Sequence, residues 1–189
     1  MRKRIHAVSF LISLILLAGL SSPARPSAAS QQRPSEPKAQ DKLIKEVRHQ
    51  LVLLPYYSVF DNLAFSVDGD KVTLVGQVVR PSLKSDAEGV VKTVEGVVQV
   101  VNNIEVLPVS PNDDRLRRAL YHSIYNYAAL QRYALQAVPP IHIIVKNGNV
   151  TLVGVVATES EKNLAGIRAN SVAGVFSVKN ELQAENAKK

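Results

Sequence analysis

The chain has 189 residues and a formal net charge of +7, with 23 Lys and Arg against 16 Asp and Glu and no cysteine. Four of the basic residues, Arg2, Lys3, Arg4 and Arg25, lie near the N-terminus, so the sequence from Ser30 onward carries only +3. This modest charge argues against a nucleic-acid-binding protein, and the lack of cysteine excludes disulfides and a cysteine-linked lipid anchor.

The first residues predict an export signal. A charged start, MRKRIHA, precedes an apolar run, VSFLISLILLAGL, and small residues follow in SSPARPSAAS. This order is typical of a secretory signal peptide, and the apolar run is shorter than the roughly 20 residues that cross a bilayer as a helix. We predict a signal peptide over residues 1–29, cleaved near Ala29, with an uncleaved N-terminal anchor as the alternative. Residues 30–40, SQQRPSEPKAQ, are polar and predict a disordered tether.

The rest of the chain contains an internal duplication. The segment VTLVG occurs twice, and residues 65–104 align with 143–182 without a gap at 15 identities in 40. The preceding helices align with an offset of 73 instead of 78, which places a five-residue insertion in the second copy after its helix. Such a repeat predicts two similar folding units.

Each copy begins with a helix and continues with a hairpin. Two alternating apolar segments are joined by DGDK in the first copy and KNGN in the second, and turns with Asp or Asn next to Gly predict hairpins. A second helix follows, with Pro81 in a first-turn position and a capping box at Thr158 and Glu161, and a last strand ends each copy. Apolar residues of the first helices recur at three- and four-residue spacing: Leu43, Val47, Leu51 and Leu54, then Leu116, Leu120, Ile124 and Tyr127.

The predicted element order is helix, strand, strand, helix, strand in each copy. The hairpin strands are antiparallel, and a right-handed strand–helix–strand crossover makes the last pair parallel. This predicts an α+β protein of two tandem small αββαβ domains, each a three-stranded mixed sheet with two helices packed on one face. We place the first domain at residues 41–107, a Pro-containing linker at 108–112, the second domain at 113–184 and a polar tail at 185–189.

Four glycines are predicted to be structural. Gly76 and Gly154 lie inside strands, where glycine costs stability and indicates a bulge or a close approach of the backbone. Gly96 and Gly174 follow the second helix of each copy, where a left-handed C-terminal cap is expected.

Together these motifs resemble the BON domain, named for bacterial osmotic-stress and nodulation proteins. The resemblance is carried by V-T-L-V-G at 72–76 and 150–154, by Gly–Val after the second helix, and by Asn102 and Asn180 in the last strands. It implies a periplasmic, non-enzymatic envelope protein that contacts phospholipid and supports envelope integrity or osmotic-stress tolerance. The alternative is a protein-interaction adaptor whose sheet faces or edge strands engage an envelope partner.

The first helix of the second copy carries a candidate lipid-binding face. On a helical wheel, Arg117, Arg118, Tyr121 and Tyr125 lie outside the apolar stripe and share one side. Guanidinium groups pair with phosphate and tyrosine suits the membrane boundary, so these residues predict weak, salt-sensitive binding to anionic phospholipid. The alternative is that the tyrosines cover the other copy or the inserted loop. The matching positions of the first copy form a less aromatic face: Ile44, Lys45, Arg48 and Val52.

No catalytic or metal site is predicted. His49, His122 and His142 are scattered singly, and the sequence has no spaced cluster of metal ligands. Ser58 and Asp61 lie near His49, but their spacing does not require a hydrolytic set. We expect no enzyme activity, no cofactor and no nucleic-acid partner, and an anionic membrane surface as the partner.

Overall fold

A computed structural model of the protein describes residues 36–136 and 138–187. All described residues belong to one compact unit of the chain. The predicted signal peptide and residues 30–35 of the predicted tether lie outside the described residues. Among the helices of the described part, none is long and apolar enough to cross a membrane.

The first copy has its elements in the predicted order. The hairpin strands β1 and β2 are antiparallel, and β2 pairs in parallel with β3, so the sheet order is β1-β2-β3. The elements are α1 (Glu36–Val52), β1 (Asn62–Asp68), β2 (Lys71–Val78), α2 (Pro81–Lys92) and β3 (Gln99–Val106).

The second copy repeats this arrangement with the sheet order β4-β5-β6. A short extra helix, α4, occupies the connection in which the five-residue insertion was predicted. The elements are α3 (Pro111–Tyr125), α4 (Gln131–Ala134), β4 (Ile141–Lys146), β5 (Asn149–Val156), α5 (Glu159–Asn170) and β6 (Ser177–Ala184), followed by a 3-10 turn at Glu185–Ala187.

The core of each copy lies between one face of its sheet and its two helices. In β2, Val72, Leu74 and Val78 are buried while Val75 on the opposite face is exposed, as the two-residue period of a strand requires. The helices complete the first core with Leu43, Val47, Leu51, Leu83, Ala87 and Val91. The predicted fold class, with two tandem mixed sheets and their helices, is confirmed.

The asparagines of the last strands tie each strand to the helix before it. Asn102 donates its side-chain amide to the carbonyl oxygen of Lys84 at 2.9 Å, and Asn180 donates to that of Lys162 at 2.7 Å. Their Oδ1 atoms accept backbone N–H groups two residues further along. These residues of the family resemblance therefore have a structural role in both copies.

The strand glycines stand where no side chain fits. Gly76 and Gly154 have φ angles of +122° and +131°, in a region that residues with a Cβ rarely adopt. A Cβ would overlap the carbonyl oxygen of Asn62 at the first position and that of Pro140 at the second. The predicted close backbone approach is confirmed.

The glycines after the second helices are left-handed, but they are not the caps. Gly96 and Gly174 both have φ of +93°. The helices end four residues earlier, at Lys92 and Asn170, with Thr93 and Ser171 in the C-cap positions. The predicted conformation is right and the predicted cap position is wrong, because a further turn separates helix and glycine.

Three predicted boundaries differ from the structure. Because α1 begins at Glu36, residues 36–40 are helical and not a disordered tether. Because Ser110 caps α3 by accepting the N–H of Asp113 at 3.2 Å, the helix already begins at Pro111, inside the predicted linker. Tyr127, predicted in the apolar stripe, is exposed because α3 ends at Tyr125.

Candidate functional site

Residues 55–61 lie between α1 and β1 of the first copy and contact the second copy, and we call them the junction segment. Val59 is buried in the core of the second copy, and its carbonyl oxygen accepts the N–H of Ile143 in β4 at 2.7 Å. Phe60 meets Tyr121 edge to face with 6.4 Å between ring centroids. The first copy therefore inserts part of its own chain into the second.

Asp61 fixes the shape of the junction segment. Its carboxylate is 2% exposed and accepts the N–H of Val79 at 2.8 Å and both the N–H and the hydroxyl of Ser58, at 3.1 and 2.7 Å. A buried carboxylate needs such donors. The Ser58 hydroxyl is thus engaged by Asp61 and not by a histidine, and His49 lies exposed on α1.

The outer edge of β4 is covered by side chains of α3. Arg117 donates Nη2 to the carbonyl oxygen of Val145 at 2.7 Å. The Tyr125 hydroxyl donates to the carbonyl oxygen of Ile141 at 2.6 Å and accepts its N–H at 3.2 Å. The Val59 carbonyl bonds to Ile143 between these two contacts. Ile141, Ile143 and Val145, which alternate along the edge, therefore each have a hydrogen-bond partner. An edge strand left open is a template for further pairing, and this edge is closed from within the chain.

Two of the four residues of the predicted lipid-binding face point inward. Arg117 is 3% exposed and Tyr125 is 1% exposed. Arg117 also pairs with Asp114 at 2.6 Å, and burial raises the pKa of Tyr125 well above its usual range although the hydrogen bond to Ile141 opposes this. The predicted outward orientation of Arg117 and Tyr125 is wrong because their side of α3 faces the edge of β4.

The other two residues of that face have different surroundings. Tyr121 is half-buried between Phe60 and Tyr125, with ring centroids 6.4 and 4.9 Å away. This contact is the predicted alternative, in which the tyrosines cover the other copy. Arg118 is exposed, as predicted.

Arg118 borders a groove of about 400 Å³ beside the junction segment, which we call the junction groove. Across it, the guanidinium group of Arg80 lies over the ring of Tyr56, 4.7 Å from the ring centroid, and Tyr56 is 67% exposed. The carboxylates of the groove, Asp61 and Asp114, are both engaged by the hydrogen bonds described above. Neither Arg80 nor Arg118 forms an ion pair with another described residue.

Arg80 and Tyr56 were not predicted as site residues. Both lie in connections, and helical or strand periodicity gives no signal there. The available signal is the apolar and aromatic character of the connection LPYYSVF, which is unusual for a solvent-exposed loop.

His142 lies where the junction segment meets β4. Its ring stacks on Tyr57 with 5.6 Å between centroids. Burial lowers the pKa of His142, opposed by backbone groups of Asp61 and Ser58, and burial raises the pKa of Tyr57 to about 12. The described ranges bring together no three of His, Cys, Asp and Glu that could hold a metal ion.

Comparisons with known proteins concern the family and the fold. The BON domain family model matches residues 41–108 and 127–186, more than half of the chain. A search of curated proteins gave no match.

Two solved structures are similar to this chain. One is the C-terminal domain of CdsD, the structural protein of the type III secretion system of Chlamydia trachomatis, at 15% identity over 75% of this chain and 96% of that chain, with a TM-score of 0.27. The other is a structure of CdsD from the same organism, at 15% identity over 77% and 95%, with a TM-score of 0.30. At TM-scores this low, neither similarity supports a conclusion about the present chain.

Proposed function

The chain belongs to the BON domain family, and from this we propose that its exported form binds anionic phospholipid surfaces peripherally. In this role it is a non-enzymatic periplasmic protein that supports envelope integrity or osmotic-stress tolerance. The observation that carries the proposal is the junction groove, where Arg80 and Arg118 flank the exposed ring of Tyr56.

The chemistry of this groove suits a lipid headgroup layer. Guanidinium groups pair with phosphate through two parallel hydrogen bonds, and tyrosine favours the boundary between water and acyl chains. Of the residues predicted on α3, Arg118 belongs to this groove. Arg80 and Tyr56 supply the second guanidinium group and the exposed ring that were expected from Arg117 and Tyr125. Each basic residue near an anionic surface contributes about 1 kcal/mol, so binding should be weak and sensitive to salt.

Co-sedimentation with vesicles tests this proposal. We expect binding to phosphatidylcholine vesicles that contain phosphatidylglycerol, loss of binding in high salt, and a reduction on the order of tenfold in Arg80→Ala/Arg118→Ala. The matched control is Lys92→Ala/Lys179→Ala, which removes two exposed charges outside the groove. Equal losses in both double variants, or equal binding to pure phosphatidylcholine, would contradict it.

A protein-interaction adaptor is the second candidate function. One observation favours it: on the outer edge of β1 no hydrogen bond between described residues reaches Phe65, whereas the equivalent Ile143 of β4 is bonded to Val59.

A further inference from the structure

The outer edge of β1 is the counterpart of the covered β4 edge. By the repeat alignment, Ile44 and Val52 of α1 replace Arg117 and Tyr125 of α3, and their apolar side chains cannot donate to a backbone carbonyl. These two helix positions therefore cannot cap the β1 edge in the way that Arg117 and Tyr125 cap the β4 edge.

The backbone groups that β1 presents outward can be identified. Gln40 donates its side-chain amide to the carbonyl oxygen of Val67 at 3.4 Å. Since backbone direction alternates along an antiparallel strand, Leu63 and Phe65 also direct their backbone groups away from β2. The Tyr57 side chain bonds to the backbone of Leu63. Within the described residues, no hydrogen bond reaches Phe65 on this side, whereas Val59 occupies the equivalent Ile143.

A groove of about 510 Å³, the α1–β1 groove, follows this open edge. It is lined by residues 63–67 of β1 and, from α1, by Ile44, Arg48 and Val52. His142 of the second copy also borders it, so the groove is continuous with the contact between the copies. Its long side is a run of strand backbone, and its opposite wall is mostly apolar.

The second copy indicates what fills such a groove in this fold. There, a backbone carbonyl of the junction segment bonds to the strand edge, and the ring of Phe60 packs against Tyr121 of α3. Tyr121 corresponds to Arg48 in the first copy. Because the lining of the α1–β1 groove includes Arg48 and no acidic residue, its occupant should also carry a negative charge.

We propose that the α1–β1 groove binds an extended peptide segment of a partner protein, which adds as a strand to the edge of β1. Its backbone bonds to Phe65, its alternate apolar side chains pack between Phe65 and Val52, and a carboxylate pairs with Arg48. In strand addition, main-chain hydrogen bonds supply affinity and the pockets for alternate side chains supply specificity. This binding does not depend on lipid contact at the junction groove.

A comparative peptide selection tests the proposal. A phage library of random octapeptides is selected on the purified protein and, in parallel, on Ile44→Arg/Val52→Tyr, which fills the groove with the two larger side chains that α3 has at these positions. We expect peptides with alternating apolar residues and an acidic residue to be enriched only on the parent protein. Synthetic copies should bind the double variant at least about tenfold more weakly, and Arg48→Gln should weaken binding too, whereas Glu46→Gln, outside the groove, should not.

Amide hydrogen exchange locates the bound peptide without any substitution. The Phe65 amide should gain protection in the complex, while that of Ala64, already in the β1–β2 ladder, should not. No enrichment over the selection on the double variant, or unchanged protection of Phe65, would overturn the proposal. Displacement of selected peptides by dodecanoate alone, without Phe65 protection by any peptide, would overturn it in favour of an acyl-chain site.

Discussion

The edge of β4 and the edge of β1 occupy the same position in two copies of one fold, yet they meet different surroundings. Arg117, Tyr125 and Val59 cover the first edge. On the second edge, Gln40 and Tyr57 bond to Val67 and Leu63, and Phe65 between them faces a groove. The strands, turns and strand glycines are alike in both copies. The contrast shows that one inserted backbone carbonyl, that of Val59, decides whether the middle of an edge strand is bonded within the chain or available.

The largest expected effect concerns a feature that both copies share. Gly154→Val should unfold the second copy, because the left-handed conformation costs about 1–3 kcal/mol and overlap with the Pro140 carbonyl adds at least about as much. Urea unfolding followed by circular dichroism measures it. Gly89→Ala is the control, since nothing lies near an added Cβ on that helical residue, and it should stabilise by about 0.5–1 kcal/mol. An unchanged midpoint for Gly154→Val would contradict the account of the shared glycines.

A smaller effect should separate the two edges. Arg117→Met leaves the Val145 carbonyl oxygen buried without its donor and should lower the free energy of unfolding by about 1–3 kcal/mol. The matched substitution in the first copy, Ile44→Met, exchanges one apolar side chain for another and should cost less than about 1.5 kcal/mol. Denaturant titrations of both variants make the comparison, and similar losses would show that the two helix positions do not differ as described.

The smallest effect concerns acidity at the contact between the copies. Because burial lowers the pKa of His142 below 6.5, the unfolded chain takes up this proton first as the pH falls. The contribution of His142 to stability is therefore present above about pH 6.5 and is lost as the pH falls through the lower pKa of the folded state. Tyr57 stacks on its ring and the Asp61 carboxylate acts on its charge.

Urea midpoints at neutral and mildly acidic pH, measured for the parent and for His142→Ala, check this expectation. The parent should lose more stability on acidification than the variant does. His122→Ala, which removes an exposed histidine, should behave like the parent. Identical pH dependence of the parent and His142→Ala would show that His142 does not cause the loss of stability at acidic pH.

Local patterns were sufficient to predict the fold. The turns DGDK and KNGN place Gly69 and Gly148 in left-handed conformations, with φ of +60° and +77°, and thereby set the hairpin registers. The capping box of Thr158 and Glu161 is present as predicted. These features depend on residues a few positions apart, which a sequence displays directly.

The candidate site could be predicted only in part, because its surroundings are not local. A helical wheel shows that Arg117 and Tyr125 lie off the apolar stripe, but it does not show that the edge of β4 stands opposite them. The insertion of Val59 into the second copy joins residues far apart in the chain. Arg118 is exposed, as predicted.

The hydrogen bond from Ile143 to Val59 makes the contact between the two copies asymmetric. The first copy packs its junction segment into the second copy. In the second copy, the connection between its first helix and first strand packs on its own domain, because Leu130 and Tyr133 are buried in the core of that copy. The described residues of the inserted stretch therefore stay with their own copy, and the exchange of a segment runs one way, from the first copy to the second.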